Sequence, residues 1–138
     1  MQPVLLDTGV IVALLDRHES KHKLCVETVR SLGRPMVTCE AVIMESCYLL
    51  SHISGASEAI VENVSKGIFK IDFALLRAAP QIHAILEKYR DMPADFADAC
   101  LIQMADELKT GDVLTLDRHF VHYRWWRNRP FQMLIPLR

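Results

Sequence analysis

Five acids in this 138-residue chain occupy positions that solubility alone does not explain: Asp7, Glu45, Asp95, Asp98 and Asp117. Asp7 closes the apolar run Val4-Leu5-Leu6, and Asp117 closes Val113-Leu114-Thr115-Leu116. Either can also serve as the cap of a following helix. Glu45 stands between Ala41-Val42-Ile43-Met44 and Cys47-Tyr48-Leu49-Leu50, a segment that reads as a helix buried nearly all round. A buried carboxylate without a partner is costly, so a base or a metal must compensate it. Asp95 and Asp98 are three residues apart at a helix start and share one face; Asp95 is a good cap, whereas Asp98 lies deeper, between Ala97 and Ala99. Brought together, such carboxylates repel and raise one another's pKa. A divalent cation relieves the repulsion, and an all-oxygen donor set suits Mg2+ or Mn2+ better than zinc. The chemistry served best is phosphodiester hydrolysis by a metal-activated water.

The elements that must position these acids follow from apolar periodicity and its interruptions. Strands are expected at residues 3–6, 36–38, 68–71 and 113–116, with a fifth at 132–135. Helices are expected over 10–15, 19–32, 41–52, 57–66, about 72–89 and 95–108, with Gly33, Gly67 and Gly111 as stops, Ser57 and Asp72 as caps, and Pro80 as a kink or break. Short apolar strands alternating with helices predict an α/β fold, a mostly parallel sheet of about five strands between helical layers. In such sheets ligands bind beyond the carboxyl ends of the strands, where Asp7 and Asp117 lie.

A chain of this length, 51% hydrophobic, supports one core, and a single domain spanning 1–138 is expected. The formal charge of −1 announces no polyanionic partner, but from Arg118 onward there are five arginines and no acid. In that stretch cations alternate with Tyr123, Trp125 and Trp126, the mixture that phosphate contact and base stacking require, although the tryptophans could equally pack on the sheet edge or a dimer partner. Cys25, Cys39, Cys47 and Cys100 are scattered among apolar neighbours and read as reduced core residues. No basic leader and no uninterrupted membrane-length apolar run is evident, so a cytoplasmic protein is the expectation.

The chain resembles the PIN-domain ribonucleases and, among them, the VapC-like toxins of prokaryotic toxin–antitoxin pairs. The matching stretches are Leu5-Leu6-Asp7-Thr8-Gly9-Val10, Thr38 through Glu45 to Leu50, Asp95-Phe96-Ala97-Asp98-Ala99, and Val113 through Asp117 to Phe120. The resemblance implies a PIN-like three-layer α/β/α sandwich, dependence on Mg2+ or Mn2+, RNA cleavage, a small antitoxin as partner and frequent homodimers. The family's invariant acids map onto Asp7, Glu45, Asp98 and Asp117, and an additional acid of part of the family onto Asp95. Thr8 and Thr115 match hydroxyl positions near the metal. Arg118 and Arg124 are candidates for contacts to the RNA backbone.

His18-Glu19-Ser20-Lys21-His22 satisfies the H-E-x-x-H zinc expression but falls between helices and has no evident third ligand. Asp7-Thr8-Gly9 also matches the aspartic-protease triplet, which the helix after it argues against. His52 and His83, on expected helices, read as structural. Two other functions remain open on the residues: a non-catalytic RNA-binding or scaffold module, and a metal-dependent phosphatase on small phosphates.

Overall fold

A computed structural model of the chain describes residues 1–137. Strand β1 (Val4–Leu6) leads into helix α1 (Thr8–Leu15), α2 (His22–Leu32) and β2 (Met36–Thr38). Helices α3 (Glu40–Leu49) and α4 (Ala56–Ser65) lead to β3 (Phe69–Ile71); α5 (Leu75–Lys88) and α6 (Phe96–Leu108) lead to β4 (Asp112–Leu114). A 3-10 turn (Arg118–Val121), a hairpin of β5 (Arg124–Trp125) and β6 (Arg129–Pro130), and β7 (Gln132–Met133) complete the described chain.

The sheet has the order β3-β2-β1-β4-β7, and every pairing in it is parallel. β1 is central, and all three of its side chains are buried, as expected where helices cover both faces. Leu6 pairs with Leu114, and the Asp7 amide donates to the Leu114 carbonyl at 3.0 Å, so the chain leaves β1 and β4 side by side. From β1 the strand order runs outward to β3 and then restarts on the other side of β1 with β4. That reversal is the switch point at which open α/β sheets form their crevice. The result is the α/β/α architecture expected from the sequence.

Several boundaries differ. α1 begins at Thr8 rather than residue 10, because Asp7 already caps it. Residues 19–21 form turns, and α2 begins at His22. Gly33, with φ 62°, ends α2 as expected. α4 starts behind Gly55 (φ 82°) rather than at a Ser57 cap, and α5 starts at Leu75 behind Ala74 rather than at Asp72. Pro80 lies within a continuous α5 instead of breaking it. α3 is not buried all round: only Val42 and Ser46 are buried, while Met44 and Tyr48 are 72% and 77% exposed. Lys109, not Gly111, takes the left-handed position after α6. Gly111 is needed for room, since a Cβ there would meet the Trp125 indole nitrogen at 2.0 Å. The hairpin that brings Trp125 there was not expected. Cys25, Cys39 and Cys100 are buried, Cys47 is half-buried, and all four are free thiols.

Candidate active site

Four of the five candidate acids are set in place by a local capping requirement. Asp7 is the cap of α1: one carboxylate oxygen accepts from the Thr8 amide at 2.8 Å and the other from the Thr115 hydroxyl at 2.7 Å. Asp95 and Asp98 form a reciprocal capping box at the start of α6, the Asp98 amide donating to Asp95 at 2.9 Å and the Asp95 amide to Asp98 at 3.2 Å. The position of Asp98 is thus accounted for by capping as well. Asp117 caps the 3-10 turn, accepting from the His119 amide at 2.9 Å and lying 2.7 Å from the His119 ring nitrogen Nδ1. Glu45 is half-buried, not enclosed in a core, and accepts from the Thr8 hydroxyl at 2.6 Å.

All five acids line one open cleft of about 390 Å3, together with Thr8, Gly9, Leu49, Pro93 and His119. Two threonines connect them. Thr8 joins the end of β1 to α3 through Glu45, and Thr115 donates to Asp7 while accepting from the Asp117 amide at 3.0 Å. Thr115 therefore fixes Asp7 relative to the Asp117 backbone across the two central strands.

The electrostatics are those of uncompensated acids. Burial raises the Asp7 carboxyl to about 6 against the hydrogen bonds from Thr115 and Thr8, and repulsion from Asp117 and Glu45 adds to the rise. Burial, followed by repulsion from Asp95, Asp7 and Asp117, raises Asp98 to about 8. Tyr123, wholly buried, donates to Asp98 at 3.3 Å; burial and the charge of Asp98 push its phenol well above the usual range. Among the described residues no lysine or arginine is ion-paired with Asp7, Glu45, Asp95 or Asp98.

This donor set, all carboxylate and short of counter-charge, suits a hard divalent cation. As the side chains stand, no three acid, histidine or cysteine groups among the described residues are close enough to surround one ion. Asp7, Asp98 and Asp117 each have an oxygen engaged in a capping bond, so a shell closes only when those carboxylates turn.

Neither of the two arginines offered for contact with the RNA backbone lines the acidic cleft. Arg118 is exposed and lines a separate concavity with Val121 and Met133. The Arg124 guanidinium donates to the carbonyls of Val121 and Tyr123, both at 2.9 Å, and is turned to its own backbone. Conversely, His119 and Tyr123, which the sequence offers only as members of the carboxyl-terminal stretch of cations and aromatics, contact Asp117 and Asp98. His119 carried a readable signal, since an Asp two residues before it makes the local turn that pairs them. Tyr123 carried none, because its approach to Asp98 is made only by the tertiary fold. The H-E-x-x-H stretch runs through non-helical residues up to His22, the first residue of α2, with His18 exposed beside Asp16 and His22 at 2.6 Å from the Ala13 carbonyl.

Compared with known protein families, residues 4–125 match the PIN domain. The chain belongs to the PIN-domain family. A relative of this PIN domain is ribonuclease VapC26 of Mycobacterium tuberculosis, 29% identical over 120 residues, which make up 85% of this chain and 89% of the relative. Among solved structures, the PIN domain is similar to VapC20 of Mycobacterium tuberculosis, described as a toxin that cleaves the sarcin–ricin loop. The TM-score is 0.80 over 92% of this chain and 99% of that one. At 18% identity, this second likeness speaks for the fold.

Proposed function

We propose that this PIN domain is a metal-dependent endoribonuclease that acts in the cytoplasm as a VapC-like toxin. One observation carries the reading. Acids from the end of β1, from α3, from the start of α6 and from beyond β4 line a single cleft at the switch point of the sheet, and among the described residues no lysine or arginine is ion-paired with Asp7, Glu45, Asp95 or Asp98. The similarity to ribonuclease VapC26 over most of both chains supports RNA as the substrate.

Asp7, Glu45, Asp98 and Asp117 would hold Mg2+ or Mn2+. When bound, such an ion polarises a phosphoryl oxygen and makes a water nucleophilic near neutral pH. The protein's own groups organise that cleft. Thr115 holds Asp7 against the Asp117 backbone, Thr8 holds Glu45, and Tyr123 and Asp95 hold Asp98, so the carboxylates start from defined positions and would turn from them to close on an ion. His119, at hydrogen-bond distance from Asp117 on the cleft wall, would be available to exchange a proton with the leaving oxygen. The reading also brings a small antitoxin as partner and assembly as a homodimer.

The test is cleavage of RNA by purified protein with Mn2+. Asp7→Asn and Asp98→Asn are expected to lose on the order of 100-fold in rate, and Thr115→Val roughly tenfold, as outer-shell partners of ligating groups do. RNA bound but left intact by the parent, or acid variants that cleave as fast as the parent, would refute the proposal. Turnover of a generic phosphomonoester with RNA spared would point to a phosphatase.

A further inference from the structure

Beyond β4 the chain returns along α6 and forms the hairpin β5–β6, whose three-residue loop is Trp126-Arg127-Asn128. Three cations converge on the Trp126 ring: Arg127 at 4.4 Å, Lys109 at 4.5 Å and Arg129 at 4.7 Å from its centroid. All three side chains are exposed, and among the described residues none is ion-paired with an acid. Asp106 on α6 accepts a hydrogen bond from the Trp126 amide. Like charges gathered around one indole repel one another, and an anion relieves that repulsion.

The backbone makes the same point independently. Among the described residues the non-glycine residues with positive φ are Lys109 (54°), Arg127 (56°) and Asn128 (64°), and all three belong to this cluster. Asn accepts that conformation readily, but Lys and Arg do so at a cost, and glycine would relieve it at either position. Two of the three cations are thus held where a neutral, unstrained residue would fold better.

We propose that the Trp126 hairpin, with Lys109, Arg127 and Arg129, grips the phosphates of a single-stranded RNA segment flanking the bond placed in the acidic cleft; this rests on the ribonuclease reading. Five carboxylates in the cleft repel a polyanion, so binding energy must come from a cationic surface away from them. From Asp98 to Lys109 is eleven residues along α6, roughly 16 Å at about 1.5 Å per residue. About five stacked nucleotides at ~3.4 Å each span that distance. Arginines laid on an indole keep their planar forks oriented for phosphate oxygens, and Asn128 adds an amide at the tip.

The experiment measures binding of a fluorescein-labelled single-stranded RNA to the full chain in EDTA by anisotropy across a salt series, with a separate cleavage assay in Mn2+. For a probe of roughly 12 nucleotides, the variant Lys109→Gln/Arg127→Gln/Arg129→Gln is expected to bind ten- to a hundredfold more weakly at about 0.1 M salt, with a log–log salt slope shallower by about 2. In Mn2+ a probe of three nucleotides, too short to reach the hairpin from the cleft, should be cleaved equally fast by parent and variant, whereas the longer probe at low concentration should be cleaved more slowly by the variant. Arg127→Lys/Arg129→Lys should keep affinity within a few-fold. Lys109→Gly should weaken binding while its melting temperature holds or rises, which separates lost contact from lost folding. Unchanged affinity and slope for the triple variant overturn the proposal. So does a variant that keeps RNA affinity but loses affinity for polyglutamate, which would make the partner an acidic protein segment. A parent that binds through the hairpin yet never cleaves refutes the nuclease reading and leaves the hairpin's role standing.

Discussion

Asp7 and Asp98 lie above the usual carboxylate range, at about 6 and about 8, and the sign of the consequence is opposite to that of a salt-bridged acid. The folded state holds these protons more tightly than the unfolded chain does, so folding stability falls as pH rises from about 4 through the folded pKa values. For Asp7 the full loss is about 3 kcal/mol at most. In EDTA, urea unfolding at pH 5, 7 and 8.5 should therefore give a midpoint that declines with pH. Asp7→Asn and Asp98→Asn should flatten the decline, while Mn2+ at the alkaline end should restore the parent. A midpoint that rises over this interval would show that the two acids are compensated in a way the cleft does not reveal. The positions of these acids could be read from the sequence because strand ends and helix starts are recognisable there. The physical reason assigned to Glu45 was wrong: the helix around it is exposed on one side, and the acid is held by the Thr8 hydroxyl rather than trapped in a core. That the Arg124 guanidinium turns back to the carbonyls of Val121 and Tyr123 is not legible in a run of cations.

Helix α5 carries a testable flaw that the site does not require. Pro80 stands six residues into it, exposed, and has no N–H for the carbonyl one turn before. The helix persists because Ala78 and Ile82 are buried beneath it and α5 packs along α6. Packing has therefore prevailed over the break expected from the sequence. Pro80→Ala should restore the missing bond and stabilise the protein by about 1–2 kcal/mol, a rise in melting temperature of several degrees measurable by circular dichroism, without changing cleavage. A fall in melting temperature would mean that the proline ring makes a contact worth more than the bond. The same contest explains which elements were legible. The five parallel strands and six helices are built on apolar runs or apolar faces legible in the sequence, and their boundaries shifted by a few residues where a backbone cap decided the start. The β5–β6 hairpin has strands of two residues and no periodicity, and it exists because the Trp125 indole packs over Gly111 and its N–H reaches the Pro130 carbonyl at 3.1 Å. Nothing local in the sequence records that approach.

At the scale of the whole molecule, the parallel sheet gathers the acids at one end and leaves an apolar face beside them. Met44 and Tyr48 of α3, Leu75 and Leu76 of α5 and Phe96 of α6 are each 42–94% exposed, and all but Tyr48 line a groove of about 590 Å3 next to the acidic cleft. Large exposed apolar patches mark interaction sites. The face is built on regular helices, which suits a two-fold contact in which the same patch meets itself. A second copy of the chain is accordingly the occupant to test. Light scattering on a sizing column should give twice the 15.8 kDa of one chain, and Tyr48→Lys/Leu76→Lys should give a monomer with unchanged circular dichroism. Leu49, next to Tyr48, lines the acidic cleft itself, so the two clefts of such a dimer would open beside the shared face. A parent that stays monomeric at tens of micromolar leaves this face to another protein, and the monomeric variant would then lose that partner rather than its twin.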